Sequence, residues 1–198
     1  GAILSVWDPA RCFSLARTAF PPETYLWGYF AVDAEGRDGK FGGPAAEALT
    51  HYSRILAYGG WGSEVLTKTT GLERVQWLPH GLDDIWGKQK IPGGPPLLGC
   101  CAANQPRKDL ATFFQAADLL RWSFPDLKLW LHTDALVTHG WSVPELAAVW
   151  GWNDESLLVT LPSELDDAGL AEMYRACSAT FAPGLGEGFG YPIVESLA

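Results

Sequence analysis

The sequence predicts an α/β protein made of two parallel-sheet domains, and three observations support this prediction. Short apolar runs alternate with helical patterns of hydrophobic residues along the chain, which is typical of βα units. The alternation stops once, between residues 83 and 96, where Gly and Pro concentrate. A second series of strands and helices begins at residue 97. We therefore expect domains at residues 1–84 and 97–198, joined by a linker at 85–96.

The first half contains four expected strands and three expected helices. Each strand is an apolar run, and each helix follows from hydrophobic residues at helical spacing. The expected strands lie near 2–6, 25–32, 53–57 and 73–78, and the helices near 9–18, 44–51 and 61–69.

The second half continues the alternation more regularly. The expected strands lie at 97–102, 127–132, 157–160 and 179–182, and the helices at 108–121, 143–150, 167–176 and from 191 onward. Open parallel sheets bind ligands at the carboxyl ends of their strands. The loops that would share this edge are 103–109, 133–142, 161–166 and 183–191.

Composition narrows the class of protein. The chain has 198 residues, 47% of them hydrophobic, and a formal net charge of -9, which argues against nucleic acid as a partner. The sequence contains no apolar run of 18 residues, and its first residues do not resemble a signal peptide. The four cysteines lack a CxxC pair, so we expect free thiols in a reducing compartment. These features predict a cytoplasmic protein, or one peripheral to a membrane in its full-length form.

The segment from Gly184 to Glu195 has the strongest chemical pattern. Its alternate glycines can take positive φ and let a ligand approach the backbone. Pro192 suits the first turn of a helix, whose free N–H groups and dipole favour an anion. Glu195, one turn into that helix, could accept hydrogen bonds from vicinal hydroxyls, and Glu187 would face the same crevice. The alternative is a capped helix with an incidental acidic loop.

Arg107 and Lys108 form the second pattern, an adjacent basic pair just after an expected strand. Arg can bind phosphate oxygens through two hydrogen bonds, and Lys adds a mobile charge, so the pair could neutralise a diphosphate. The alternative is a solvated pair in the first turn of a helix, where the helix dipole would favour acidic residues.

Together these segments resemble a known family. Residues 187–198, Glu-Gly-Phe-Gly-Tyr-Pro-Ile-Val-Glu-Ser-Leu-Ala, look like the Glu-x7-Glu signature of retaining GT-B glycosyltransferases, especially glycosyltransferase family 4 (glycosyl transferases group 1). Leu78-Pro-His-Gly-Leu-Asp83 is similar to the turn at the end of that family's first domain. Asn104-Gln-Pro-Arg-Lys-Asp109 is similar to the basic loop after the first strand of its second domain.

The resemblance implies the GT-B fold and a role for each matching residue. By analogy, Arg107 and Lys108 would contact the donor's diphosphate, Glu187 the donor sugar and Glu195 the ribose. The backbone of the four residues Gly188, Phe189, Gly190 and Tyr191 would hold a phosphate. The loop with Leu161 and Ser163 resembles, more loosely, the family's loop near the base.

His80 lies in a Pro-His-Gly turn and has two interpretations. A histidine there could act as an acid, a base or a phosphate donor. In the resembled family this turn mainly shapes the domain interface, so a structural role is the preferred expectation. We expect no metal, because the cationic side chains and the helix dipole would replace it, and the sequence has no DxD, HxH or HExxH pattern. We also expect no cofactor.

The expected function is that of a metal-independent, hexosyltransferase-type enzyme in glycan biosynthesis. It would move a sugar, with retention of configuration, from a nucleotide-diphosphate sugar to an acceptor glycan, lipid, protein or other hydroxyl. The alternatives are a nucleotide-sugar 2-epimerase, a glycan phosphorylase, or a non-catalytic nucleotide-sugar or carbohydrate-binding subunit. Both ends of the sequence look cut, so we expect a fragment whose first domain is truncated at its N-terminus and whose second is truncated at its C-terminus.

Overall fold

The computed structural model describes residues 1–87, 93–134 and 139–198. This part of the chain divides into a first unit, residues 1–81 with 186–189, and a second unit, residues 82–185 with 190–198. Each unit contains a four-stranded parallel sheet. The predicted α/β class with two parallel sheets is therefore confirmed. Residues 88–92 of the expected linker and 135–138 of the expected loop 133–142 lie outside the described residues.

The first unit pairs its strands in chain order, β1-β2-β3-β4. The strands are β1 (Ala2–Trp7), β2 (Tyr25–Phe30), β3 (Arg54–Ala57) and β4 (Gln76–Trp77), and the helices are α1 (Phe13–Ala16), α2 (Gly43–Leu49) and α3 (Gly60–Thr70).

Two expected elements of the first unit are wrong in length. The helix expected at 9–18 is only the single turn α1; before it the chain forms a turn in which the backbone carbonyl of Asp8 accepts from the N–H groups of Arg11 and Cys12. The strand expected at 73–78 is reduced to β4. The backbone of Val75 is bonded instead to hydroxyls of α3, since its N–H donates to Thr67 Oγ1 at 2.9 Å and its carbonyl accepts from Ser63.

One face of the first sheet is packed and the other is exposed. Leu26, Phe30 and Ile55 point into a core that includes Leu49 of α2 and Leu66 of α3. The alternate residues of the strands point the opposite way. On that face Leu4, Val6, Tyr25 and Trp27 all stay exposed, from 40% for Trp27 to 62% for Tyr25.

The second unit has the sheet order β7-β6-β5-β8. The strands are β5 (Leu97–Cys101), β6 (Lys128–His132), β7 (Leu157–Thr160) and β8 (Ala179–Thr180), and the helices are α4 (Leu110–Arg121), α5 (Val143–Val149), α6 (Asp167–Ala176) and α7 (Tyr191–Leu197). The strand expected at 179–182 is wrong in length. It is the two-residue strand β8, and it is exposed because it pairs only with β5 at the edge of the described sheet.

The second sheet is packed on both faces. Leu98, Cys100 and Leu131 belong to a core that they share with α4 and α5. Trp130, between two residues of that core, belongs to a different cluster with Tyr174 of α6. The middle strands are therefore buried on both sides, as expected for a parallel sheet between helices.

The four cysteines are free thiols, as predicted. Burial raises the pKa of Cys100 to about 12, so this side chain stays neutral and serves packing. Cys101, at the end of β5, is only half-buried. Among the described residues we find no helix both long and apolar enough to cross a bilayer.

Candidate functional site

The loop after β5 presents the predicted basic pair. Arg107 and Lys108 lie in a short 3-10 turn, Pro106–Lys108, and not in the first turn of a helix, as the alternative interpretation had it; the helix expected at 108–121 begins at Leu110. Arg107 is exposed, whereas Lys108 is only 8% exposed. A lysine can bury its aliphatic chain when its charged end meets polar groups. Lys108 is therefore held by the surrounding protein and is not a solvated surface residue.

Asp109 ends this loop and starts α4. Its φ of 46° lies in the left-handed region, which is uncommon for a residue with a side chain. Its carboxylate accepts from Thr112 Oγ1 at 2.7 Å and from the Thr112 N–H at 3.4 Å, capping the helix. The turn that carries Lys108 is thus fixed by Asp109, which has a left-handed backbone and caps the N-terminus of α4.

Asn104 joins the loop after β5 to the loop after β6. Its side chain is 2% exposed and uses both ends, since Nδ2 donates to the carbonyls of Asp134 and Trp141 and Oδ1 accepts from the Trp141 N–H at 2.7 Å. A Cβ on Gly140 would lie 2.5 Å from Asn104 Oδ1, so glycine is needed beside it. Two of the loops expected at the ligand-binding edge are therefore locked together.

The basic loop and the glycine-rich segment are direct neighbours. β5 and β8 are adjacent and parallel, so the loops after them emerge at the same edge. The N–H of Leu185 donates to the carbonyl of Arg107 at 2.8 Å. The two segments singled out from the sequence are thus bonded to each other within the second unit.

The expectation that the alternate glycines take positive φ is wrong for three of the four. In the segment 184–190 only Gly190 does so, with φ 81°, and it caps the N-terminus of α7. Gly186 and Gly188 are required by close packing within the first unit. A Cβ on Gly188 would lie 2.8 Å from Ala31 Cβ, and a Cβ on Gly186 would collide with the carbonyl oxygen of Asp33.

Glu195 lies in the second turn of α7, where the sequence placed it. The hydroxyl of Tyr174, on α6, donates to Glu195 Oε2 at 3.2 Å. Burial raises the pKa of Glu195, while the hydrogen bond from Tyr174 lowers it and the charge of Asp167 raises it. Burial raises the pKa of the nearby Cys101 thiol, the Tyr174 hydroxyl lowers it, and the charges of Glu195 and Lys108 act on it in opposite directions.

Glu187 and its neighbours belong to the first unit, whereas Arg107, Lys108, Glu195 and Tyr191 belong to the second. Glu187 and Phe189 are half-buried. Phe189 packs edge-on against His80, with ring centroids 4.9 Å apart.

His80 lies in an aromatic cluster of the first unit. Its ring packs edge-on against Tyr29 and Tyr58, at 5.1 and 4.1 Å between centroids. The Tyr29 hydroxyl donates to the Leu78 carbonyl at 2.7 Å and lies 3.2 Å from His80 Nδ1. Burial lowers the pKa of His80, which favours the neutral ring. These contacts fit the structural role preferred from the sequence, which stays a prediction.

The loop with Leu161 and Ser163 follows β7. The Leu161 N–H donates to Glu164 Oε2 at 2.7 Å, and Glu164 N–H returns a bond to the Leu161 carbonyl, so the loop forms a closed turn. Ser163 is exposed at its tip. The β7 strand is two positions from β5 in the sheet, which puts this loop roughly 10 Å from the basic loop along the same edge.

Sequence analysis missed Tyr174 and Asn104 as parts of the candidate site. Tyr174 lies in the helix expected at 167–176, and its hydroxyl, which needs a partner when buried, was the available signal. Asn104 was quoted in a motif without a role. No local signal identifies it, because its partners lie 30 and 37 residues away.

No group of His, Cys, Asp or Glu in the described ranges is arranged to hold a metal ion. This observation leaves the metal dependence of any reaction open to measurement.

Comparisons with known proteins identify the fold. No protein-family model matches the sequence, and no curated protein matches it either. Solved structures do match. A point mutant of S. aureus TarM, in complex with fondaparinux, alpha-GlcNAc-glycerol and UDP, has a TM-score of 0.71 at 9% identity, over 98% of this chain and 39% of that one.

Two further structures agree. The pneumococcal O-GlcNAc transferase GtfA in complex with UDP and GlcNAc has a TM-score of 0.67 at 13% identity, covering 94% of this chain and 37% of that one. The catalytic domain of Arabidopsis thaliana starch synthase IV, bound to ADP and acarbose, has a TM-score of 0.57 at 13% identity, covering 98% and 54%. The chain thus spans about two fifths to one half of these structures, and its fold is that of GT-B glycosyltransferases.

Proposed function

We propose that this chain carries the nucleotide-sugar donor site of a retaining, metal-independent glycosyltransferase related to glycosyltransferase family 4. The observation that carries the proposal is the bond between Leu185 and Arg107, which joins the basic loop to the glycine-rich segment at one edge of the second sheet. A diphosphate and a ribose are close together in a nucleotide sugar, and this edge offers cations and a carboxylate within one unit.

Lys108 and Arg107 would bind the diphosphate. Lys108 is held by a capped turn and is mostly buried, so its charge is oriented before any ligand arrives. The exposed Arg107 can add bidentate hydrogen bonds to phosphate oxygens. As the nucleoside diphosphate leaves, negative charge grows on these oxygens, and the two cations would stabilise it more in the transition state than in the ground state.

Glu195 would accept hydrogen bonds from the ribose hydroxyls, as acidic residues of dinucleotide folds do. The closed turn of Leu161 and Ser163, along the same edge, would lie near the base. The backbone from Gly188 to Tyr191 would contact a phosphate, and Glu187 would contact the donor sugar.

The donor, the acceptor and the location belong to the same proposal. TarM and GtfA were solved with UDP and starch synthase IV with ADP, so a nucleoside diphosphate is the ligand class to test first. Transfer would go to a hydroxyl of a glycan, lipid or protein. Free thiols and a net charge of -9 fit a cytoplasmic enzyme that does not bind nucleic acid.

The experiment is calorimetric titration with UDP, ADP and GDP in EDTA. We expect one of them to bind without metal, and Lys108→Ala to weaken binding by roughly tenfold or more, since a charged hydrogen bond is lost. Lys128→Ala is the matched control, because Lys128 starts β6 at the opposite edge of the same sheet. Glu195→Ala should also weaken binding, because the proposed ribose acceptor is lost. Its control is Glu172→Ala, which removes an exposed carboxylate on α6.

Failure of the folded protein to bind any of the three nucleotides would overturn the donor site, as would equal losses in Lys108→Ala and Lys128→Ala. Binding that appears only when a divalent cation is added would overturn metal independence. Retention is tested separately with a nucleotide-sugar donor, by the anomer of the sugar that NMR detects first, and Glu187→Ala should remove this turnover.

A further inference from the structure

We propose that Tyr174 is a positioning residue for Glu195: its hydroxyl holds one carboxylate oxygen, so that the other can accept from the ribose hydroxyls. The inference rests on the proposed function, since it assigns a new residue to the same donor site. Tyr174 itself would not touch the nucleotide.

The tyrosine is rigidly held. Its side chain is 8% exposed, and its ring packs edge-on against Trp130 and Trp86, with centroids 5.5 and 6.0 Å apart. Trp130 is itself completely buried on β6, where its Nε1 donates to Thr160 Oγ1 at 2.9 Å. The hydroxyl that meets Glu195 is therefore presented from a packed aromatic cluster, and it has little freedom to move.

The glutamate, in contrast, stands on a short helix at the edge of the unit. α7 has seven residues, and Ser196, next to Glu195, accepts from Thr180 Oγ1 of β8 at 3.0 Å. The bond from Tyr174 ties the Glu195 carboxylate to α6, and it involves Oε2. Oε1 is then the oxygen that would accept from a ligand hydroxyl.

The hydrogen bond from Tyr174 also affects the ionisation of the Glu195 carboxyl group. Burial and the neighbouring charge of Asp167 on α6 both raise the pKa of Glu195, and the Tyr174 hydroxyl opposes them. On β5, burial raises the pKa of the Cys101 thiol, the Tyr174 hydroxyl lowers it, the charge of Glu195 raises it and the charge of Lys108 lowers it. Without the hydroxyl, the carboxylate loses a donor that stabilises its charged form, so it takes up a proton at higher pH.

A carboxylate that accepts from ribose must be ionised when the nucleotide binds. Affinity should therefore fall as pH falls through the pKa of Glu195 in the free protein. Tyr174→Phe moves that fall to higher pH, and Glu195→Gln removes it. If Tyr174 served packing alone, Tyr174→Phe would change neither the affinity at pH 7 nor the pH at which the affinity falls.

The experiment measures the dissociation constant of whichever of UDP, ADP and GDP the wild type binds, from pH 5 to pH 8, for the wild type, Tyr174→Phe, Glu195→Gln and the double variant. The phenylalanine keeps the ring and its packing. We expect Tyr174→Phe to weaken binding at pH 7 by roughly fivefold to tenfold, with its pH midpoint raised, and the double variant to bind no worse than Glu195→Gln. Tyr52→Phe is the control, because it removes another buried tyrosine hydroxyl, bonded to Ser5 Oγ at 3.0 Å in the first unit.

Two outcomes overturn the inference: a Tyr174→Phe protein with the affinity and midpoint of the wild type, or additive losses in the double variant. NMR titration of the 13C-labelled Glu195 carboxyl is a second measurement that needs no ligand. If the wild type binds none of UDP, ADP and GDP but the carboxyl titrates at higher pH in Tyr174→Phe, the donor site is wrong and the positioning bond stands. If the titration is unchanged, the positioning bond is overturned whether or not UDP binds.

Discussion

The two sheets share a four-stranded parallel arrangement but differ in how they are covered. In the second unit, residues of β5 and β6 alternate between two hydrophobic clusters, one on each face. In the first unit, the strands contribute side chains to one hydrophobic cluster, on one face of the sheet. On the other face, Leu4, Val6 and Trp27 stay exposed. Parallel sheets are normally buried on both faces. The candidate donor edge belongs to the sheet whose middle strands are packed on both faces, where side chains can be held in fixed positions.

The largest expected difference is in the cost of removing a leucine. Leu131→Ala, in the middle of the second sheet, should lower the free energy of unfolding by about 2–5 kcal/mol, because the side chain is completely buried. Leu4→Ala, on a side chain that is 55% exposed, should cost less than about 1 kcal/mol. Urea denaturation followed by circular dichroism measures both, and similar losses would contradict the difference in coverage.

A smaller loss is expected from adding one methyl group. In Gly99→Ala the new Cβ would lie 2.5 Å from Cys177 Sγ and 2.9 Å from Trp130, so we expect a loss of about 1–3 kcal/mol. The matched variant in the first unit is Gly60→Ala at the start of α3, where nothing lies within 4 Å of the added atom. There the change should stay below about 0.5 kcal/mol. Thermal melts of the two variants compare them directly, and an unaffected Gly99→Ala would refute the tight packing.

The exposed face of the first sheet should bind hydrophobic dyes. Replacing Leu4 and Val6 together by Thr should lower the fluorescence of bound anilinonaphthalene sulfonate severalfold and change stability by less than about 1 kcal/mol. Leu158→Thr is the control, because Leu158 is an exposed leucine on β7 of the other sheet. If the control lowers the dye signal as much as the double change, the dye does not report on this face.

The smallest expected effect concerns pH. Burial lowers the pKa of His132, whose Nδ1 lies 2.8 Å from Thr160 Oγ1. The unfolded chain therefore takes up a proton first as pH falls below about 6.5, and stability is lost in that range. His132→Gln should reduce this loss between pH 7 and pH 5, whereas His51→Gln, at an exposed residue of the first unit, should not. Equal pH dependence in all three proteins would contradict the shift.

The sequence predicted the second unit better than the first, and the coverage of the sheets explains why. Where both faces are packed, hydrophobic residues mark each element clearly, so α6 and β7 have the expected bounds. In the first unit, the strand expected at 73–78 was misjudged because side-chain hydroxyls of α3 satisfy the backbone of Val75. Such a long-range bond leaves no local pattern.

For the candidate site, the pattern predicted the neighbouring loops but not what fixes them. The parallel direction of the strands was sufficient to predict that the basic loop and the glycine-rich segment share one edge, whereas the adjacency of β5 and β8 was not predicted. The bonds of Asn104 and Tyr174 join residues 21 to 37 positions apart, and they depend on packing that only the folded chain defines. The glycines of this segment were correctly predicted to be required, but the reason given, positive φ, was wrong for Gly186 and Gly188. These two are required because a Cβ atom there would collide with other residues of the protein.

The conformation of Asp109 restricts which residue types can occupy this position of the loop. The residue after the buried Lys108 must adopt a left-handed backbone and also cap α4 at Thr112. Asn can do both, Gly can do the first, and a β-branched or large side chain cannot adopt the left-handed backbone without strain. Divergent relatives that keep the lysine in this position should thus show Asp, Asn or Gly directly after it. That restriction would remain visible in sequences too distant for any other position to be compared.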